Sequence, residues 1–230
     1  AGLPEHQFYG VHRREGEYNG QEMAPLLVAR AAFNVEESGC FWLSETPQVV
    51  GSLSWNSAYP RTVSWARLSC RQTGRTLLFV NTHFDYEPEA IIGDARCLHH
   101  WLGGIDPAMP LILTGDFNVD QTSESYQLLD GSGIMRDSYE IADFRYAPNG
   151  TFNGFHPDRK TDSRIDHLFL TKEFEVKKYG ILTDTYRSEA KESARKEQNG
   201  NFPKEVSLSK YEARTPSDHF PVMIVVEVKD

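Results

Sequence analysis

Three short polar stretches of the sequence lie directly beside apolar runs of the kind that form strands. They are Asn81-Thr82-His83, Gly115-Asp116-Phe117-Asn118 and Ser217-Asp218-His219. Buried strands are normally bounded by Gly, Asn or Ser, so carboxylate and imidazole groups at several strand ends indicate strands that converge on one polar cleft. Groups of these types, gathered in one cleft, are typical of a hydrolytic site.

The second stretch places a carboxylate and an amide two residues apart. Asp116 and Asn118 follow the apolar run Leu111 to Thr114 after Gly115, and residues two apart in an extended segment point the same way. The carboxylate could hold a cation or orient a water, while the amide could donate to a phosphoryl oxygen. This division of labour suits phosphoester hydrolysis, although a Gly-Asp pair is also common in simple turns.

The third stretch resembles a serine hydrolase only superficially. Ser217, Asp218 and His219 are adjacent, and adjacent residues in an extended chain face opposite sides and cannot form a relay. We expect the Asp218 carboxylate to lie near a metal and His219 to act as a base oriented by another acid. Asp166 is the candidate for that acid, and its alternative partner is Arg164.

His83 is the remaining imidazole of interest. Paired with a carboxylate it would stay protonated more easily and could meet the negative charge of a phosphate, and Glu22 could supply that carboxylate. A lone histidine is more often satisfied locally. His99 and His100 are adjacent on a predicted helix and point in different directions, so they do not form a ligand pair.

The elements that must position these residues are indicated by apolar periodicity. Short apolar runs bounded by turn residues predict six strands, several of them buried on both faces. These are Leu26 to Arg30, Thr62 to Leu68, Thr76 to Val80, Leu111 to Thr114, Ile165 to Leu170 and Pro221 to Val228. Helices are predicted over Pro88 to Leu102 and Ser123 to Leu129. This order predicts a layered α/β or α+β domain in which helices cover packed sheet.

Composition limits the class of protein. The 230 residues, 39% of them hydrophobic, suit a single globular domain. The formal net charge of −9 argues against a broad basic surface for nucleic acid or anionic membranes, but a bound cation can reverse the sign of an acidic cleft. The longest apolar run, Met223 to Val226, is too short to span a bilayer, and no signal peptide is visible, so we expect a soluble protein whose compartment stays open.

Two stretches read as excursions from the core, and the first is residues 146–163, which are rich in Gly, Asn, Pro and Asp. Residues 186–213 are crowded with Lys, Arg, Glu and Ser and predict a surface insertion. A solvated helix fits Ser188 to Gln198.

Eight short motifs follow one another along nearly the whole chain. They are Glu22-Met23-Ala24-Pro25, Phe41-Trp42-Leu43-Ser44-Glu45-Thr46-Pro47, Pro60-Arg61, Asn81-Thr82-His83, Gly115-Asp116-Phe117-Asn118, Thr151-Phe152-Asn153-Gly154-Phe155, Arg164-Ile165-Asp166-His167 and Ser217-Asp218-His219-Phe220-Pro221-Val222. In this order the set resembles the endonuclease/exonuclease/phosphatase superfamily. The second motif resembles the bacterial-type branch of metal-dependent hydrolases in that superfamily rather than its DNA-repair branch.

The resemblance implies a four-layer α/β sandwich of two packed, mostly antiparallel β-sheets flanked by helices, with residues 1–230 forming a single domain. By similarity, His219 paired with Asp166 would be the base or its electrostatic equivalent. Asp116 would orient or deprotonate the attacking water. Asn118 would hold the nucleophile and the phosphoryl group.

The resemblance also implies a metal site and phosphate contacts. Asp218 and Asp116 would belong to the metal site, for which Mg²⁺ is expected, with Mn²⁺ as an alternative, because oxygen ligands suit a hard ion. His83, braced by Glu22, would contact the scissile phosphate. Arg61 would be a further phosphate contact.

One part of the family pattern is not found in this sequence. The pattern opens with a strand carrying an Asn, followed some tens of residues later by a Gln-Glu pair whose Glu is the principal Mg²⁺ ligand. This chain starts after both, and Glu5 does not replace that ligand. We therefore expect the domain to be N-terminally incomplete, with more residues upstream in the natural protein.

The sequence thus predicts a Mg²⁺-dependent phosphoric ester hydrolase, a monomer, that favours a small phosphoester. A DNA or RNA nuclease of the same superfamily is the alternative, and an inactive truncated member acting as a binding module is the alternative of another class. Aromatic residues in the loops expected near the site would suit a nucleotide, sugar phosphate, inositol phosphate, phospholipid head group or DNA, or would belong to the core. They are Trp55, Tyr59, Phe152 and Phe155.

Overall fold

The computed structural model describes residues 2–14, 22–189 and 211–229, in which strands predominate over helices. In chain order the elements are β1 (His6–Tyr9), β2 (Leu26–Ala29), β3 (Phe33–Trp42), β4 (Thr62–Cys70), β5 (Thr76–His83), α1 (Pro88–Gly103), β6 (Leu111–Asp116), α2 (Glu124–Asp130), β7 (Arg136–Asp137), α3 (Ser138–Ile141), β8 (Phe144–Tyr146), β9 (Asp166–Leu170), β10 (Phe174–Ile181), β11 (Tyr186–Glu189), β12 (Tyr211–Arg214) and β13 (Val222–Val228).

A six-stranded sheet with the order β3-β4-β5-β6-β9-β7 forms the centre of the fold. β5 and β6 are parallel, and α1 makes the crossover connection that a parallel pair requires. β6 and β9 are antiparallel. The register sets His83 beside Asp116 on one side and Asp166 beside Asp116 on the other. The middle of the sheet therefore ends in one imidazole and two carboxylates.

Each face of this sheet has its own core. On one face, buried side chains of β4, β5 and β6 pack against α1 through Ala95, Leu98 and Leu102 and against α2 through Tyr126 and Leu129. On the other face, β4 packs against β2, and β6 and β9 pack against β10 and β13. β1 pairs with β2, while β10 lies between β13 and β8 in a second sheet.

This architecture confirms the predicted sandwich of packed sheets flanked by helices. The two layers of helix are unequal in the described residues, because α1 and α2 cover the central sheet while α3 is a single turn. All six predicted strands and both predicted helices are present, with ends shifted by up to three residues. The prediction of burial on both faces is wrong for strand β13, in which the Met223 and Val225 side chains are 46% and 43% exposed.

The charged stretch predicted as an insertion lies partly outside the described residues. It begins in β11 and ends in β12, and these two strands pair antiparallel. The prediction of a helix over Ser188 to Gln198 is wrong for its first two residues, which belong to strand β11. The rest of this predicted helix lies outside the described residues. Among the described residues, no helix has the length and apolar character needed to cross a membrane.

Candidate active site

The centre of the candidate site is the end of β5, β6 and β9. Gly115 allows these strands to approach, because a Cβ atom at this position would lie 2.4 Å from the Thr82 carbonyl oxygen. The next residue of β6, Asp116, then lies between His83 and Asp166. An open cleft of about 320 Å³ runs along this edge and includes Asp116, Asp166 and His219 in its lining.

His219 and Asp166 form a close pair although 53 residues separate them in the sequence. His219 Nδ1 donates to Asp166 Oδ2 over 2.8 Å, and His219 Nε2 lies 3.7 Å from Asp116 Oδ2. The hydrogen bond to Asp166 raises the pKa of His219, and this effect outweighs partial burial. Arg164, the alternative partner for Asp166, instead forms ion pairs with Asp137 and Glu140.

The segment that starts at Thr151 positions this pair. The Thr151 hydroxyl accepts the backbone N–H of Asp166, and the Thr151 carbonyl accepts that of Phe220. Phe152 packs edge-on against the His219 ring, with centroids 5.1 Å apart. The motif at 151–155 was part of the family resemblance, but its structural task was not predicted.

Buried Asn153 continues the same task. Its side-chain amide donates to the Ser217 carbonyl over 3.1 Å, and its backbone N–H donates to the Asp218 carbonyl over 2.8 Å. The loop that carries His219 is therefore held by one side-chain and one backbone hydrogen bond from a residue with no exposed surface.

His83 and Glu22 are in direct contact. His83 Nδ1 pairs with Glu22 Oε1, and His83 Nε2 lies 3.3 Å from Asp116 Oδ2. The hydrogen bond from His83 lowers the pKa of Glu22 to about 2, assisted by the positive charges of Arg61 and Arg13. Glu22 therefore stays ionised, and it joins an imidazole and two guanidinium groups at one side of the cleft.

Asn118 contacts Asp116 through a backbone geometry that differs from the predicted strand alternation. β6 ends at Asp116, and Asn118 has a φ of 52°, a left-handed conformation. The Asn118 backbone N–H donates to Asp116 Oδ1 over 2.9 Å, and its side-chain amide donates to the Phe84 carbonyl. The side-chain nitrogen also lies 3.2 Å from His83 Nε2. A tight turn, rather than an extended chain, directs both groups to the cleft.

Arg61 is buried and lies between two carboxylates. It donates to Glu22 Oε1 over 2.9 Å, and its Nε lies 3.5 Å from Asp85 Oδ2. Asp85 has no exposed surface and was not predicted. Nothing in the sequence marks it except its place two residues after His83.

Asp218 lies next to His219 but outside the closest group of potential metal ligands. Among the described residues, that group is formed by Asp116, Asp166 and His219, whose donor atoms all lie within 4.8 Å of one another. The Asp218 carboxylate accepts a hydrogen bond from the Ser217 hydroxyl over 3.3 Å. Burial raises the pKa of Asp116, and the nearby charge of Asp166 adds to the rise. A cation would relieve this crowding of carboxylates.

Comparisons with known proteins identify the class of this chain. The model of the Endonuclease/Exonuclease/phosphatase family matches residues 11–219. The chain belongs to this family, which confirms the family assignment made from the motifs. No match was found among curated proteins.

Solved structures give more particular relatives. A mannosyl-6-phosphatase from Bacteroides thetaiotaomicron is 42% identical, with 97% of this chain and 78% of that chain covered and a TM-score of 0.84. A family protein from the same organism is 43% identical, with 99% and 77% covered and a TM-score of 0.84. One from Bacteroides vulgatus is 30% identical, with 99% and 78% covered and a TM-score of 0.78.

Proposed function

We propose that this chain is a divalent-metal-dependent phosphoester hydrolase that acts on a small phosphorylated sugar. The observation that supports this function best is the convergence of two hydrogen-bonded pairs on one carboxylate. His219 with Asp166 and His83 with Glu22 both approach Asp116, with Nε2 atoms 3.7 and 3.3 Å from the same oxygen.

In the proposed mechanism, a water oxygen attacks the phosphorus atom while the bond to the sugar oxygen breaks. His219 Nε2 takes a proton from the water, because Nδ1 is already engaged by Asp166. Asp116 orients the attacking water. The leaving sugar oxygen takes a proton from solvent water as it departs, and His219 returns its proton to solvent, so the products are inorganic phosphate and the free sugar.

Positive and polar groups on the His83 side of Asp116 suit the phosphoryl oxygens. His83 pairs with Glu22 through Nδ1, and Arg61 contributes a guanidinium fixed by Glu22 and Asp85. The Asn118 amide completes the set of donors. Donors held in place before the reaction stabilise negative charge without reorganisation, which is the usual source of the largest rate effect.

A divalent cation fits the carboxylates of the cleft. Asp116 and Asp166 would hold it, because their carboxylate oxygens and a ring nitrogen of His219 all lie within 4.8 Å of one another. Asp218, the other ligand expected from the sequence, lies outside this group. Oxygen donors favour Mg²⁺, with Mn²⁺ as a substitute. When bound, the ion would neutralise charge on the phosphoryl group and acidify a water.

The substrate class is inferred from the relative rather than from the pocket. The 42% identical Bacteroides protein is named a mannosyl-6-phosphatase. We extend that substrate class to this chain, which deepens the earlier expectation of a small phosphoester. Nuclease activity is the second candidate, because the family name includes endonucleases and exonucleases.

A substrate and metal panel tests this function. Mannose 6-phosphate, p-nitrophenyl phosphate and bis-p-nitrophenyl phosphate should be incubated with wild-type protein in Mg²⁺, Mn²⁺ or EDTA, beside Asp116→Ala. We expect release of phosphate from the two monoesters, loss of activity in EDTA, and a fall of at least about 100-fold in Asp116→Ala. Equal activity with and without metal, or in the folded variant, would refute the mechanism.

A further inference from the structure

Two exposed tyrosines lie beside Arg61 at the rim of the candidate site. Tyr59 is 38% exposed and Tyr86 is 52% exposed. Their ring centroids are 6.2 Å apart at an angle of 67°. Arg13 Cζ and Arg61 Cζ lie 4.4 and 5.7 Å from the Tyr59 ring centroid, so the Tyr86 ring is the more open of the two. An aromatic ring that remains open to solvent next to a polar cleft is available for contact with a ligand.

A single buried carboxylate fixes both tyrosines. Asp85 Oδ2 accepts the backbone N–H of Tyr59 over 3.1 Å, and Asp85 Oδ1 accepts that of Tyr86 over 2.8 Å. The same Oδ2 atom forms the ion pair with Arg61. Asp85 is fully buried, and hydrogen bonds of this kind to a buried charge are among the stronger ones. The backbone at both tyrosines is thereby anchored to the carboxylate that also holds Arg61, one of the proposed phosphate contacts.

The loop that carries Tyr59 also contacts α1 through a hydrogen bond and a packed ring. Trp55 and Asn56 have φ values of 54° and 58°, which are uncommon for residues other than glycine. The Asn56 side chain donates to Glu89 Oε2 over 2.6 Å, and the Trp55 ring lies where a Cβ atom on Gly93 would stand. Strained backbone persists only when its surroundings hold it, and it concentrates at functional sites.

We propose that Tyr59 and Tyr86 form the subsite for the sugar ring of a hexose phosphate, on the leaving-group side of the phosphate contacts. This inference rests on the proposed function and assigns residues to its substrate specificity. The C–H face of a pyranose is apolar surface that packs on an aromatic ring, while its hydroxyls remain free to bond to polar neighbours.

Charges of both signs lie around the pair. Glu87 directly follows Tyr86, and Glu89 lies in the first turn of α1. Arg13 and Arg61 lie on the Tyr59 side, with Cζ atoms 4.4 and 5.7 Å from the Tyr59 ring centroid. The cations are therefore placed to meet a phosphate, while the carboxylates on the Tyr86 side suit an uncharged ring.

Tyr86→Ala tests the subsite, because the exposed ring can be removed with little effect on packing. We expect KM for mannose 6-phosphate to rise about 5- to 10-fold with kcat nearly unchanged, and Tyr86→Phe to stay within about 2-fold of wild type. Glycerol 1-phosphate, which lacks a ring, should show no change in KM. Tyr146→Ala, which removes a similarly exposed tyrosine on β8, should leave both substrates unaffected.

Binding separates failure of the subsite from failure of the proposed function. The Kd of mannose 6-phosphate should be measured by calorimetry in EDTA, where no turnover is expected, for wild type and Tyr86→Ala. Weaker binding by the variant supports the subsite even if no condition gives turnover. Equal affinity of the two proteins, a wild type that does not bind, or an equal loss on glycerol 1-phosphate overturns it.

Discussion

His219 lies between two carboxylates, to which the proposed mechanism gives different tasks. Asp166 accepts a hydrogen bond from Nδ1, which leaves Nε2 as the atom that can take a proton near Asp116. Because the raised pKa of His219 depends first on Asp166, the protonation of the imidazole at neutral pH depends on its partner. The pair thus sets both the direction and the pH at which the proposed base works.

Asp166→Asn tests that dependence through the pH profile. His219 must be neutral to accept a proton, so kcat/KM should rise with pH through its pKa. Asp166→Asn should lower the pKa of His219, so the acidic limb of the kcat/KM profile should move to lower pH. We also expect kcat to fall by about 100- to 10,000-fold. Asp162→Asn removes an exposed carboxyl group four positions before Asp166 and should reproduce the wild-type profile. An unshifted acidic limb in Asp166→Asn would contradict the role given to Asp166.

The sequence allows some residue pairs to be predicted better than others. The pairing of His83 with Glu22, 61 positions apart, follows from the order of motifs and is present in the structure. Asp85 could not be predicted, because two of its four partners, Tyr59 and Arg61, are distant in the sequence and meet it only in the folded chain. The other two are the backbone N–H groups of Tyr86 and Glu87. Asn118 reaches the cleft through a left-handed turn that strand periodicity does not describe.

Among the elements, the six predicted strands are rich in apolar residues, and several of them are continuous apolar runs. β3 and β10 were missed although they have ten and eight residues. Each contains a shift in register, between Val35 and Glu37 in β3 and between Val176 and Lys178 in β10. A bulge adds a residue and breaks the alternation of apolar and polar side chains, so the period-2 signal is lost.

Gly115→Ala tests how closely β5 and β6 must approach. The added methyl group would meet the Thr82 carbonyl oxygen, so the strands must separate and move His83 away from Asp116. We expect a loss of about 1–3 kcal/mol in the free energy of unfolding, measured with urea, together with reduced kcat. Gly103→Ala, where nothing lies within 4 Å, is the matched control and should not destabilise the protein. Equal stability of the two variants would argue against this tight contact.

α1 carries a buried acid whose titration should affect stability. Burial raises the pKa of Asp94 to about 8, and its Oδ2 atom accepts the backbone N–H of Asp85. The pKa of an Asp in an unfolded chain is about 3.9. The stabilising contribution of Asp94 is therefore complete below about pH 4 and is lost as the pH rises through about 8. Asp94→Asn should flatten this fall in Tm between pH 5 and 9. Exposed Asp158→Asn should not, and a slope unchanged in Asp94→Asn would exclude Asp94 as its source.

At the scale of the whole molecule, the net charge of −9 bears on the choice between a small phosphoester and nucleic acid. Non-specific binding to DNA depends on basic residues that displace counterions, and it strengthens steeply as salt is lowered. An acidic protein should therefore show no mobility shift of duplex DNA at about 150 mM salt, and none at about 20 mM. Binding that appears at low salt, or cleavage of a plasmid in Mg²⁺ faster than hydrolysis of mannose 6-phosphate, would favour the nuclease alternative.

In the proposed function, the cleft at the end of β5, β6 and β9 carries out metal-dependent hydrolysis with His219 as the base. The most direct measurement is kcat/KM for mannose 6-phosphate in Mg²⁺ for wild type, His219→Ala and His100→Ala. His100 is an exposed imidazole on α1, so its variant controls for the loss of a histidine. We predict a fall of at least about 100-fold for His219→Ala and a wild-type value for His100→Ala. A folded His219→Ala protein that retains wild-type kcat/KM would contradict the account.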